Sequence, residues 1–230
     1  MLILAIDTAL EACAAAVLDT EAGQLLAQES LLMKRGHAEA LMPVIVRVMQ
    51  SADLAFTSID RIAVTVGPGS FTGLRVGISA ARGLALAAGK PAVGLTTLSA
   101  YAAAVVCQRK SAPVISAIDA RHDHVYFQIV AGDGSQLVRP GVASIDEAIA
   151  ASQFGAPHLV GNAAKILADR WPKDGPQPVA VDAQPAPDIG WVAWLGAAAD
   201  PETNPARPFY LKAPDAKPAA TPPLAQAASS

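Results

Sequence analysis

Apolar residues fall into two rhythms along this chain. Residues 2–6 (Leu-Ile-Leu-Ala-Ile) make an unbroken apolar run of strand length that stops at Asp7-Thr8. Such a run, bounded by turn residues, reads as a buried strand. Residues 12–18 and 24–31 read as two more strands around a Glu21-Ala22-Gly23 turn, which gives a three-stranded meander. Residues 37–50 then show helical spacing with Pro43 inside it, where a proline kinks the helix or sits in its early turns. A strand at 62–66, a helix at 72–88, a short strand at 92–95 and a helix at 98–108 with Thr97 as its cap complete the first half.

The pattern then restarts. Ile115, Ala117, Ile118 and Asp119 repeat the Ile3, Ala5, Ile6 and Asp7 of the opening strand. A second strand follows at 125–130, a Gly132-Asp133-Gly134 turn, and a third strand at 136–139. Helices at 145–152 and 163–170 flank the apolar His158-Leu159-Val160 and Gly161-Asn162. A meander followed by alternating helices and strands, occurring twice, argues for internal duplication. The division falls near residue 110, giving subdomains 1–110 and 111–213. Residues 172–188 are rich in Pro, Gly and Ala and read as a long surface loop. Trp191, Trp194 and Leu195 lie on one side of a short helix, and the Pro/Ala-rich residues 214–230 read as a disordered tail.

Between the 62–66 strand and the following helix stands Gly67-Pro68-Gly69-Ser70-Phe71-Thr72-Gly73-Leu74-Arg75-Val76-Gly77. Three glycines and a proline at a strand-to-helix turn specify backbone geometry, and such a turn brings backbone N–H groups towards an anion. Ser70 and Thr72 are placed to cap the helix. Gly73, Gly77, Ser79, Ala80, Ala81, Gly83, Ala85, Ala87 and Ala88 leave that helix almost without bulk. Something must approach its axis closely, and the reading is a contact helix first and a phosphate loop second.

Composition narrows the field. A chain of 230 residues with 52% hydrophobic and 16% charged residues has a sizeable core. Its net charge of −3 argues against nucleic-acid binding by the chain alone. Cys13 and Cys107, the only cysteines, read as small core residues in a reducing compartment. The apolar start is interrupted by Asp7 and reads as a strand rather than a leader. The expectation is a cytoplasmic protein with no membrane contact.

The glycine run, the opening Leu4-Ala5-Ile6-Asp7-Thr8, the segment His37-Ala38-Glu39-Ala40-Leu41-Met42-Pro43, Asp119-Ala120-Arg121 with Val125-Tyr126, and the closing Pro208-Phe209-Tyr210-Leu211-Lys212 together resemble bacterial TsaB (YeaZ-like) proteins. The resemblance covers nearly everything except the tail. Ala9 stands where such proteins often have Ser, and Lys212 where they commonly have Arg. It implies an α/β fold of the duplicated actin-like, Hsp70-like (ribonuclease H-like) type, with two subdomains, each a mixed sheet flanked by helices. It also implies a part in threonylcarbamoyl modification of the tRNA adenosine next to the anticodon. In that setting a TsaD-like subunit performs the transfer, a TsaE-like ATPase joins, and the TsaB-like protein is a noncatalytic scaffold. It would meet tRNA only through the complex and pair with itself when alone.

Asp7-Thr8 and Asp119 stand where an actin-like ATPase would hold phosphate and metal, so they are vestigial candidates for a cofactor site. Each Asp also suffices to stabilise its own turn. The bulky Arg121 blocks the second phosphate turn, and Gly161-Asn162 is the only candidate adenosine turn. The expectation is therefore no cofactor on the isolated chain, with a nucleotide at the TsaD interface left open. No catalytic or metal residue is assigned. His37 is followed one turn on by Leu41, His122 and His124 lack a third ligand, and neither Ser70 nor Ser79 has the spacing of a nucleophile elbow.

The helices carry the functional expectation. Leu41, Ile45 and Val48 share one helix face, while Met42, Val44, Val46 and Met49 make other sides apolar. On the low-bulk helix Leu74, Ile78 and Ala81 share a side. Two apolar faces per helix exceed what one sheet buries. The partner interface is placed on His37, Leu41, Ile45, Val48, Phe71, Leu74, Arg75, Ile78 and Arg82, with the two arginines at its rim. The alternatives are an autonomous actin-like ATPase or kinase, and a direct tRNA-binding subunit.

Overall fold

The structure is a computed structural model that describes residues 1–108 and 111–211. The expected tail, 214–230, and Lys212 lie outside the described residues. Strands β1 (Leu2–Asp7), β2 (Ala12–Asp19) and β3 (Gln24–Leu32) form the antiparallel meander. After helix α1 (His37–Ser51), strand β4 (Arg61–Gly67) pairs in parallel with β1. Helix α2 (Phe71–Ala88) leads to β5 (Ala92–Thr96), parallel to β4, so the sheet order is β3-β2-β1-β4-β5.

Helix α3 (Thr97–Val106) ends the first half and packs on the sheet of the second. Its cap is Thr96, one residue before the expected Thr97, because the Thr96 hydroxyl accepts the Ser99 N–H at 3.0 Å. Strands β6 (Val114–Arg121), β7 (His124–Val130) and β8 (Gln136–Ser144) repeat the meander. Helix α4 (Ile145–Ala150), β9 (His158–Val160), α5 (Ala164–Asp169) and β10 (Ala180–Asp182) follow. The order β8-β7-β6-β9-β10, with β9 and β10 parallel to β6, is that of the first sheet. Asp7 and Asp119 sit at matching positions late in the two central strands. This is the duplicated actin-like fold.

Two strands depart from the sequence reading. β8 runs past Arg139 to Ser144 because it is an edge strand, where the missing N–H of Pro140 leaves no ladder bond unmade. β10 is three residues long inside the Pro-rich stretch, too short for any periodicity to show.

The layers explain the core. α1 and α2 cover the outer face of the first sheet, burying Leu41, Val44, Ile45, Val48, Leu74 and Ile78 against Leu4, Ile6, Ile62 and Val64. The last helix, α6 (Ile189–Ala198), crosses back and covers the inner face of that sheet. There Ile189, Val192 and Ala193 pack on Ile3, Ala5, Ala16 and Ala63. Trp194 and Leu195 pack at the margin of this core, and Trp191 is half-buried. Gly196 is required by contact, because a Cβ there would overlap that of Ala63. The Arg61 guanidinium then ties down the helix end by donating to the carbonyls of Gly196, Ala197 and Ala199 at 2.9, 3.0 and 2.6 Å. α3 lies beside α6 and buries Leu98, Tyr101 and Val105 on the second sheet. α4 and α5 cover that sheet's other face.

Candidate functional site

The loop after β4 shows what the glycine run is for. Ser70 caps α2, its hydroxyl accepting the Gly73 N–H at 3.3 Å. Thr72 makes no such bond. The Ser70 N–H donates to the Ala9 carbonyl at 2.7 Å, and the Thr8 hydroxyl donates to the Gly73 carbonyl at 2.7 Å. A Cβ at Gly69 would overlap Ala9, and Cβ atoms at Gly73 and Gly77 would overlap Thr8. The body that approaches the axis of α2 is thus the chain's own β1–β2 turn. It occupies the approach to the helix N-terminus that a phosphate would need.

Asp7 is sealed beneath this contact. One carboxylate oxygen accepts from the Thr65 hydroxyl and from the Ala9 N–H at 3.0 Å, while the other is buried without a partner. Burial pushes this carboxyl above the ordinary range, against the lowering effect of those two bonds and of His37. Asp119 is exposed and closes its own turn by accepting the Arg121 N–H at 2.7 Å. The Asp119 N–H donates to the Asn162 side chain at 2.9 Å. Asp119 and Asn162, with Glu11 and Gln184, line a shallow cleft of about 350 Å³. The set does not fit a Mg²⁺-nucleotide: Asp7 is enclosed, and the turn that carries it is packed against the start of α2. Among the described residues no group of three His, Cys, Asp or Glu side chains could hold a metal.

The cysteines divide. Cys13 is buried, its thiol pushed up to about 11 by desolvation. Cys107 is exposed, contrary to the core reading, because it caps the solvent end of α3.

The interface residues need a larger correction. Leu41, Ile45, Val48, Leu74 and Ile78 are all at most 4% exposed and belong to the chain's own core. They are closed to any partner. His37 is buried as well, its Nε2 donating to the Leu10 carbonyl at 3.1 Å. Three of the nine named residues, Phe71, Arg75 and Arg82, do reach the surface. The outward apolar residues are instead Met42 and Val46 on α1 and Phe71 and Leu86 on α2, exposed by 43, 43, 39 and 85%. The four-residue spacing of Met42 and Val46, offset from Leu41 and Ile45, was the signal for this second face. Phe71 has two neighbours. The Tyr210 ring lies 5.4 Å away and the Arg75 guanidinium 3.8 Å above it. Tyr210 is delivered by the closing segment, where the Phe209 N–H donates to the Val66 carbonyl at 2.8 Å.

The family model described as TsaD, tRNA N6-adenosine threonylcarbamoyltransferase, matches residues 25–175. An uncharacterised Mycobacterium tuberculosis protein is 32% identical over 221 residues, 95% of each chain. The Haemophilus influenzae tRNA threonylcarbamoyladenosine biosynthesis protein TsaB is 37% identical over 142 residues, covering 62% of this chain and 56% of that one. The solved YeaZ from Pseudomonas aeruginosa superposes with a TM-score of 0.77 at 28% identity, over 91% of this chain and 99% of that one. This chain belongs to the TsaB (YeaZ-like) family. It spans about half the length of the curated TsaB relatives it matches. The TsaB-like fold therefore rests on the whole chain, while the sequence likeness to named TsaB proteins covers only part of it. No helix among the described residues is long and apolar enough to cross a membrane.

Proposed function

We propose that this chain is a noncatalytic docking subunit in tRNA threonylcarbamoyladenosine biosynthesis, serving a TsaD-type transferase alongside a TsaE-type ATPase in the cytoplasm. The observation that carries the reading is that the neighbouring helices α1 and α2 leave Met42, Val46, Phe71 and Leu86 exposed. Apolar side chains left exposed along a helix pair mark an interaction surface. Arg75 and Arg82 border it and suit carboxylates on the partner. The same face serves self-pairing when the partner is absent, and tRNA is met through the complex. The chain would act by favouring a competent arrangement of the transferase, which requires that it bind that arrangement more tightly than others.

The test separates surface from core. Val46→Glu puts a charge on the exposed face, and the folded chain is expected to keep its circular dichroism spectrum while losing the transferase. Threonylcarbamoyl transfer reconstituted from purified subunits should then fall to the level seen without this chain. Unchanged binding by Val46→Glu would refute docking through this face. Ile78→Glu cannot serve as the probe, because that side chain is in the core and its replacement would unfold the protein.

A further inference from the structure

One open groove adjoins the docking surface and shares Arg82 and Leu86 with it. It has about 500 Å³ and sits between the second half of α2 and the 201–207 segment. That segment is fixed in place: the Gly94 N–H donates to the Asn204 carbonyl at 2.9 Å, and Val93 bridges to Pro205. The groove's lining combines the aliphatic Ala85, Leu86 and Pro205 with the cationic Arg82 and Arg207. No Asp or Glu lines it, and neither guanidinium enters an ion pair among the described residues.

Gly83 also lines this cavity and adds a separate clue. A glycine weakens a helix interior unless something needs its lack of bulk. The other α2 glycines are explained by Thr8, but a Cβ at Gly83 would meet no atom within 4 Å. Nothing inside the fold asks for glycine there. Leu86, one turn on and 85% exposed, is equally unexplained by the isolated chain.

We infer that this cavity seats a segment of the partner protein that carries an aliphatic side chain next to a carboxylate. The aliphatic group lies over Ala85, Leu86 and Pro205, the carboxylate reaches Arg82 and Arg207, and the partner's backbone passes close to Gly83. An RNA strand suits the site less well, because no aromatic residue lines it for base stacking and the chain as a whole carries a net charge of −3. The inference rests on the docking reading and adds a second, charge-selective contact to it.

The experiment is calorimetric titration of the full chain with the purified TsaD-type transferase of the same organism, at two salt concentrations. Gly83→Leu fills the cavity with a good helix former, so the isolated variant should melt no lower than the parent while binding the transferase at least about tenfold more weakly. The double variant Arg82→Gln with Arg207→Gln should also lose about tenfold and show a flatter salt dependence, and Lys at both positions should recover part of the loss. If Val46→Glu abolishes binding while the cavity variants bind like the parent, the cavity contact is wrong and the docking face stands. If none of the variants changes binding, both fail. If the arginine variants weaken tRNA retention by the complex and leave protein–protein affinity unchanged, the occupant is RNA and this inference is overturned.

Discussion

At the scale of the residue, the most informative position is Asp7. An actin-like ATPase would expose this acid to metal and phosphate, but here it lies fully enclosed with one oxygen unpartnered. Its raised carboxyl means that the folded chain holds the proton more tightly than the unfolded chain does. The stability this group lends is therefore complete below the ordinary carboxylate range, near pH 4, and is lost as the pH rises through the raised value. Asp7→Asn keeps the acceptor for Thr65 and Ala9 and cannot ionise. Thermal unfolding from pH 4 to pH 8 is expected to show Tm of the variant gaining on that of the parent as the pH rises. A constant difference across that range would mean that Asp7 does not titrate in the fold. The sequence located this residue correctly on its strand. It could not say whether Asp7 faced a cleft, since that depends on where Thr8 and Ala9 settle against a loop some 60 residues away.

At the scale of the element, α2 shows both what pattern reasoning reaches and where it stops. The want of bulk correctly signalled a close approach. The approaching body is internal for Gly73 and Gly77 and absent for Gly83. Opposite outcomes are expected for the same substitution on one helix. Gly73→Ala should destabilise the isolated chain by about 1–3 kcal/mol, because its methyl group would collide with the Thr8 carbonyl, which is backbone and cannot yield cheaply. Gly83→Ala should stabilise it by up to about 1 kcal/mol, through helix propensity alone. Urea unfolding of the two variants checks both, and equal signs would contradict the packing described. Apolar spacing likewise found both helices, but most of the side chains it named for an interface are buried against the first sheet. Leu41, Ile45 and Ile78 carry the same hydrophobic signature whether a sheet or a partner covers them, and only the position of the first sheet decides.

At the scale of the whole molecule, the duplication was legible from the two meanders and from Asp7 and Asp119 at matching places in their strands, although β10 was not. The return of α6 to the first sheet was not. Its residues are apolar nearly all round, so nothing in their order says which sheet they join, and the match depends on Gly196 meeting Ala63. Arg61 holds that junction through a single Nη1 whose two hydrogens are shared among three carbonyls, and a charged hydrogen bond of this kind is worth roughly 1.5–3 kcal/mol where partly buried. Arg61→Ala is expected to lower stability by a few kcal/mol and to loosen α6 first, which hydrogen exchange of residues 189–198 would show as lost protection ahead of α1 and α2. Equal protection in variant and parent would remove Arg61 from that role.

The path of α6 also bears on how the protein is made. The N-terminal sheet is synthesised first, but Ile3, Ala5, Ala16 and Ala63 find their cover only when residues 189–198 leave the ribosome. Until then a nascent chain displays a bare greasy surface for most of its translation, which is a natural target for chaperones and a route to aggregation if synthesis stalls.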